Sequence, residues 1–216
     1  SRSEFTEQSL SRLAQILLKN KENDKAIPVL SRLENEADVS QNKTYAQSNL
    51  MKLYYNKKDY PNSGIYAEKV LMNPKADDNV KSDAQIIIAR AAIETGDEAK
   101  AKVAYAKVLA IAKGELAAEA LYYDAYFKNK EGKFEASNAA VQKIAKNYSS
   151  YKYFGAKGLI LMAKNFYGLK DSYQATYILE NIIQNFTDYP DVVSEAKTEL
   201  NAIKTEEAKT NSSITK

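Results

Sequence analysis

The sequence predicts an all-α repeat protein: about five antiparallel helix pairs followed by a C-terminal capping helix. Three observations carry this. Residues 86–112 hold two apolar-striped helical runs broken once at Gly96-Asp97, where glycine suits the left-handed end of one helix and aspartate the cap of the next. The pattern of a turn, a short side chain and an apolar residue four later recurs at Ala26, Ser63, Ala101, Ser137 and Ala175, separated by 37, 38, 36 and 38 residues. A fixed period of this size is the signature of stacked helical units, none of which buries its own apolar face alone. Finally, only 7 glycines and 4 prolines occur in 216 residues, which favours helices joined by short turns.

The units are expected at about 3–38, 39–76, 77–113, 114–149 and 150–187, within one repeat domain spanning 1–208. In the first, Leu10, Leu13, Ala14 and Leu17 share a helical face, and Ala26, Leu30 and Leu33 mark the second helix, with Pro28 early enough to cost little backbone bonding. The second unit pairs Leu50, Met51 and Tyr54 with a helix opened by Asp59 as N-cap and Pro61 just inside it. The third places Ala89 and Ala92 inward and Ala101 opposite. In the fourth, Leu121 and Ala125 precede the turn at 131–134; in the fifth, Leu159, Met162, Ala163 and Phe166 precede a turn at 168–172. A last helix, about 190–208, grows more charged toward its end and reads as a solvating cap, and 209–216 reads as a flexible tail.

These residues resemble the tetratricopeptide repeat family, whose unit has small side chains at its eighth and twentieth positions. The match is best in the third unit, at Ala89, Gly96, Asp97, Ala101 and Tyr105; the second matches at Tyr54, Asp59 and Tyr60 but has Met51 and Ser63 at the small positions, and the fourth departs at Lys128. The resemblance implies a right-handed superhelical solenoid whose first helices line a concave groove. Unit endings such as Asn147-Tyr148 and Asn185-Phe186, and the later Tyr189-Pro190, resemble bacterial envelope members, the Tol-Pal coordinator and outer-membrane-assembly lipoprotein types, and so imply a periplasmic or cell-envelope scaffold.

Counting eleven residues back from each anchor gives one expected groove column: Gln15, Lys52, Arg90, Tyr126 and Lys164. Neighbouring positions add Arg12, Asn49, Tyr55, Asn56, Tyr122 and Tyr167. Such a surface can hold a protein or peptide segment of acidic character through charge-assisted bonds, with tyrosine rings over its apolar groups. The same pattern also describes ordinary solvated helix faces with tyrosines packed between repeats. The aromatic run at 121–127 is the densest in the chain and is expected to serve mainly as core, and Tyr148, Tyr151, Tyr153 and Phe154 are expected between the fourth and fifth units.

Chemistry is sparse. There is no Cys and no His, which removes thiolate nucleophiles, the usual zinc ligands and imidazole acid–base catalysis. No cofactor, metal or catalytic residue is expected. A net charge of +3 is too small for a dedicated nucleic-acid binder, and no apolar run reaches the ~18 residues of a membrane span. Ser1 in place of Met is the expected mark of a processed protein or a cut domain, with repeats of the same protein upstream of it. Gly155-Ala156-Lys157-Gly158 matches an RNA-binding loop in spelling only and reads as close helix packing. The acidic groups at 34–38 and 77–78 lack the spacing of a calcium loop. A non-catalytic interaction scaffold is therefore the leading expectation; a glycan-binding or RNA-binding helical repeat and a carboxylate-based enzyme are the alternatives.

Overall fold

Eleven helices joined by short turns make up the described residues, 4–214 for the backbone and 6–210 for side chains, of the computed structural model. They are α1 (Glu4–Lys19), α2 (Asn23–Glu36), α3 (Ser40–Asn56), α4 (Tyr60–Met72), α5 (Asp78–Glu94), α6 (Glu98–Ile111), α7 (Gly114–Lys130), α8 (Phe134–Asn147), α9 (Lys152–Gly168), α10 (Ser172–Asn185) and α11 (Pro190–Ile214). No strand occurs among the described residues. The chain divides into two compact units, Ser1–Ile111 and Ala112–Lys216. Position 3 of the expected first repeat and positions 215–216 of the expected tail lie outside the described residues. The last helix runs to Ile214, past the expected end at 208.

The same turn is used after α1, α3, α5, α7 and α9. A left-handed residue stands five positions before each anchor: Lys21, Lys58, Gly96, Gly132 and Lys170, with φ between 60° and 74°. In the third turn the Asp97 N–H donates to the Ala92 carbonyl and the Gly96 N–H to that of Ile93; the other four turns repeat both bonds. This double closure satisfies carbonyls that a helix end otherwise leaves without partners. Aspartates then open several following helices: Asp59 accepts from the Asn62 N–H at 3.2 Å, Asp97 from Lys100 at 3.0 Å and Asp171 from Gln174 at 3.0 Å.

Anchors and their opposite numbers meet in the core. Ala26, Ser63, Ala101, Ser137 and Ala175 are all fully buried, as are Ala14, Met51, Ala89, Ala125 and Ala163, which stand twelve residues earlier. Where the anchor is serine, its hydroxyl donates to the carbonyl twelve residues back, Ser63 to Met51 at 3.0 Å and Ser137 to Ala125 at 2.8 Å. Serine thus fits a site built for alanine without leaving a buried hydroxyl unpaired. Lys128, the departure noted in the fourth unit, is half-buried and pairs with Asp124 at 2.7 Å.

In the first unit α2 lies between α1 and α3, and α4 between α3 and α5, with α1 against α3 and α3 against α5. In the second, α8 lies between α7 and α9 and α10 between α9 and α11, with α7 against α9 and α9 against α11. Gly158 permits the approach of α8 to α9, because a methyl group there would stand 3.1 Å from Val141. Gly168 is the final residue of α9, not part of the turn as expected; a methyl group there would meet the Phe134 ring at 2.5 Å. Asn165 is wholly buried between these helices. Its amide donates to Ser137 Oγ (2.9 Å) and Asn138 Oδ1 (2.7 Å), and its carbonyl oxygen accepts from Asn129 (2.7 Å).

Candidate binding surface

The sequence-predicted residues all lie on odd-numbered helices, α1, α3, α5, α7 and α9. In the first unit, Arg12 and Gln15 on α1 are exposed, as are Lys52 and Asn56 on α3. Asn49 is half-buried and donates back to the Tyr45 carbonyl at 2.8 Å. Tyr55 is half-buried, its ring edge-on to Tyr60 at 5.7 Å, and the Tyr60 hydroxyl reaches Glu94 at 3.3 Å. Arg90, on α5, is half-buried. Lys52 is not an isolated cation: its Nζ lies 2.5 Å from Asp83 of α5.

In the second unit, Tyr122 differs most from expectation. It retains only 9% of its surface, because Tyr123 and Phe154 stand 5.0 and 6.2 Å away and Lys157 Nζ lies 5.8 Å over its ring. Burial, and then the nearby Glu195 carboxylate, push its hydroxyl far above the ordinary tyrosine range. It is wall rather than open groove. Tyr126 is half-buried beside Tyr123 and Phe127, with Lys130 Nζ 5.6 Å over its ring. Tyr167 is half-buried against the core shared by α9, α10 and α11. Lys164 pairs with Glu199 at 2.8 Å.

The residues that sequence reasoning missed are carboxylates. Asp191, Glu195 and Glu199 stand four apart on α11, a single helical stripe. They receive Tyr153 at 2.9 Å, Lys157 at 2.5 Å and Lys164 at 2.8 Å from α9. Tyr153 is pushed up to about 12 by desolvation first and by the Asp191 hydrogen bond second. In the first unit, buried Glu34 takes Lys69 at 2.7 Å and Gln47 at 3.2 Å. The four-residue spacing on α11 was readable; which helix it faces was not.

A cleft of about 380 Å³ is lined by Val141, Ile144, Leu159, Phe186 and three tyrosines, Tyr148, Tyr151 and Tyr189, with Lys152, Asn185 and Asp188 also on its walls. Tyr148 and Tyr151 therefore open onto a cleft, whereas Tyr153 and Phe154 pack with each other (5.4 Å) and with Tyr189 and Tyr122 respectively. A polar hollow of about 520 Å³ in the first unit is lined by Glu34, Lys43, Gln47, Lys69 and Asn73, among others. Among the described residues no group of three Asp, Glu, His or Cys could hold a metal ion, and no helix is long and apolar enough to cross a membrane. No family model matches the chain, and no curated protein matches it in sequence.

Proposed function

We propose that the chain is a non-catalytic interaction scaffold of the tetratricopeptide type, a right-handed stack of five helix pairs and a cap that binds a protein or peptide segment along its odd-helix face. The observation that carries this is the set of ion pairs and half-buried tyrosines on that face, above all Lys52 with Asp83 and Lys164 with Glu199. Side chains on helices packed against their neighbours are held in place before a ligand arrives, so little ordering accompanies binding. Lys52 and Lys164 each come with a carboxylate, so the surface offers donors and acceptors side by side and suits the mixed polar groups of an extended peptide. A purely acidic segment has first to displace those carboxylates. The unit endings quoted above support a bacterial cell envelope as the compartment.

The test is position-dependent photocrosslinking in the native host, with a photoreactive phenylalanine at Tyr126 on the proposed face or at Tyr173, which is exposed on α10. Discrete adducts at position 126 and none at 173 are expected; the reverse pattern removes the reading. With a captured partner, Lys52→Glu combined with Arg90→Glu is expected to weaken binding at least tenfold in calorimetry with helicity kept. A Lys52→Asp, Asp83→Lys exchange separates loss of the pair from loss of the positive site.

A second reading, a glycan site, is favoured by the tyrosine-lined cleft. Tyrosine rings suit the apolar face of a sugar, and Lys152, Asn185 and Asp188 suit its hydroxyls. Tyr148→Ala and Tyr189→Ala would abolish retention on a glycan array if the cleft binds sugars, and leave it unaltered otherwise.

A further inference from the structure

The face of α1 that carries Ser9, Leu13 and Ile16 is exposed, with Leu13 at 45% and Ile16 at 48% of their full surfaces. These three positions stand seventeen, thirteen and ten residues before the anchor Ala26. In α3 the same register holds Ala46, Leu50 and Leu53, all buried, in one core cluster with Leu30 and Leu33 of the preceding helix α2. In α11 three residues with the same four-and-three spacing, Ala196, Leu200 and Ile203, are buried in one cluster with Leu179 and Ile182 of the preceding helix α10. The chain thus builds the same contact at both ends of its length, an even-numbered helix laid over this face of the next odd-numbered one.

Ser9, Leu13 and Ile16 differ from the α11 triad by one side chain, serine for alanine. We infer that this face of α1 is a docking site for an amphipathic helix bearing two aliphatic residues three apart, in the manner of Leu30 and Leu33 on α2 and Leu179 and Ile182 on α10. The site continues an interface that recurs within the molecule, which is what identifies its occupant. It is distinct from the ion-paired surface proposed above. Covering the exposed halves of two aliphatic side chains removes apolar surface from water, the main favourable term in such association, and an occupant already held helical avoids the ordering cost of a short peptide.

The probe is a hydrocarbon-stapled, fluorescent peptide of residues 172–185, titrated against the 216-residue chain and followed by anisotropy. Saturable binding is expected, at least tenfold weaker for the Leu13→Lys, Ile16→Lys protein and for a peptide carrying Leu179→Lys and Ile182→Lys. Both protein substitutions fall on exposed positions, so the melting temperature of that variant should match the parent within a degree or two; protection of α1 amides from exchange should appear only with parent protein and parent peptide. Equal binding to the lysine variant, or none to either, overturns the proposal. So does concentration-dependent self-association of the parent that the lysine variant loses, which would assign the face to a second copy.

Discussion

Glu7 is a buried carboxylate whose partners all lie beyond α2. It accepts from the backbone N–H of Asp38 at 2.7 Å and of Val39 at 3.3 Å and from the Asn42 amide at 2.9 Å, joining α1 to the entry of α3. The Asn42 hydrogen bond first, and the Asp38 N–H second, hold its pKa below the ordinary value of 4.5. A depressed folded-state pKa means stabilisation that is present above the unfolded pKa and lost as pH falls through the folded one. Thermal melts from pH 7 to pH 3 should therefore show the advantage of the parent over Glu7→Gln narrowing only below about 4.5. Gly168 gives a second single-residue test. Gly168→Ala drives a methyl into the Phe134 ring, and overpacking of this kind costs ~1–3 kcal/mol, read as a lowered melting temperature that Phe134→Leu partly restores. Both residues escaped the sequence reading for one reason: their roles are set by contacts more than thirty residues away, whereas the anchors were legible because a small side chain announces itself locally.

At the scale of elements, the turns were the most legible part. Gly96-Asp97 named one of them, and the period located the other four, although three carry lysine at the left-handed position. That conformation costs an L-residue ~1–2 kcal/mol, while glycine gives back ~0.5–1 kcal/mol in lost chain entropy. The triple variant Lys21→Gly, Lys58→Gly, Lys170→Gly is therefore expected to melt several degrees higher than the parent. The end of α11 is set by different physics. Ile203 is the last buried apolar side chain among the described residues, and the turn that follows it is tied to α10 by an exposed ion pair, Lys204 to Glu180 at 3.1 Å. Hydrogen exchange should show protection falling away after Ile203, well before the helix ends at Ile214.

At the scale of the molecule, the all-helical architecture and the order of its helices followed from one period and a scarcity of Gly and Pro. The charge arrangement did not. A column holding Lys52, Arg90 and Lys164 reads from sequence as a cationic surface, and only the register between α3 and α5, or between α9 and α11, shows that Asp83 and Glu199 meet it. Helices that look alike create a further difficulty, since α3, α5, α7 and α9 share spacing and small residues and each could settle beside the wrong neighbour while the chain is collapsing. Asn165 distinguishes one of them. A buried amide needs its partners, and Ser137, Asn138 and Asn129 all belong to α7 and α8, so α9 is at home only there. Replacing Asn165 with leucine should raise affinity for mismatched neighbours and produce slow, heterogeneous refolding with misregistered species resolvable by NMR, a cost borne in fidelity of assembly rather than in the strength of the finished core.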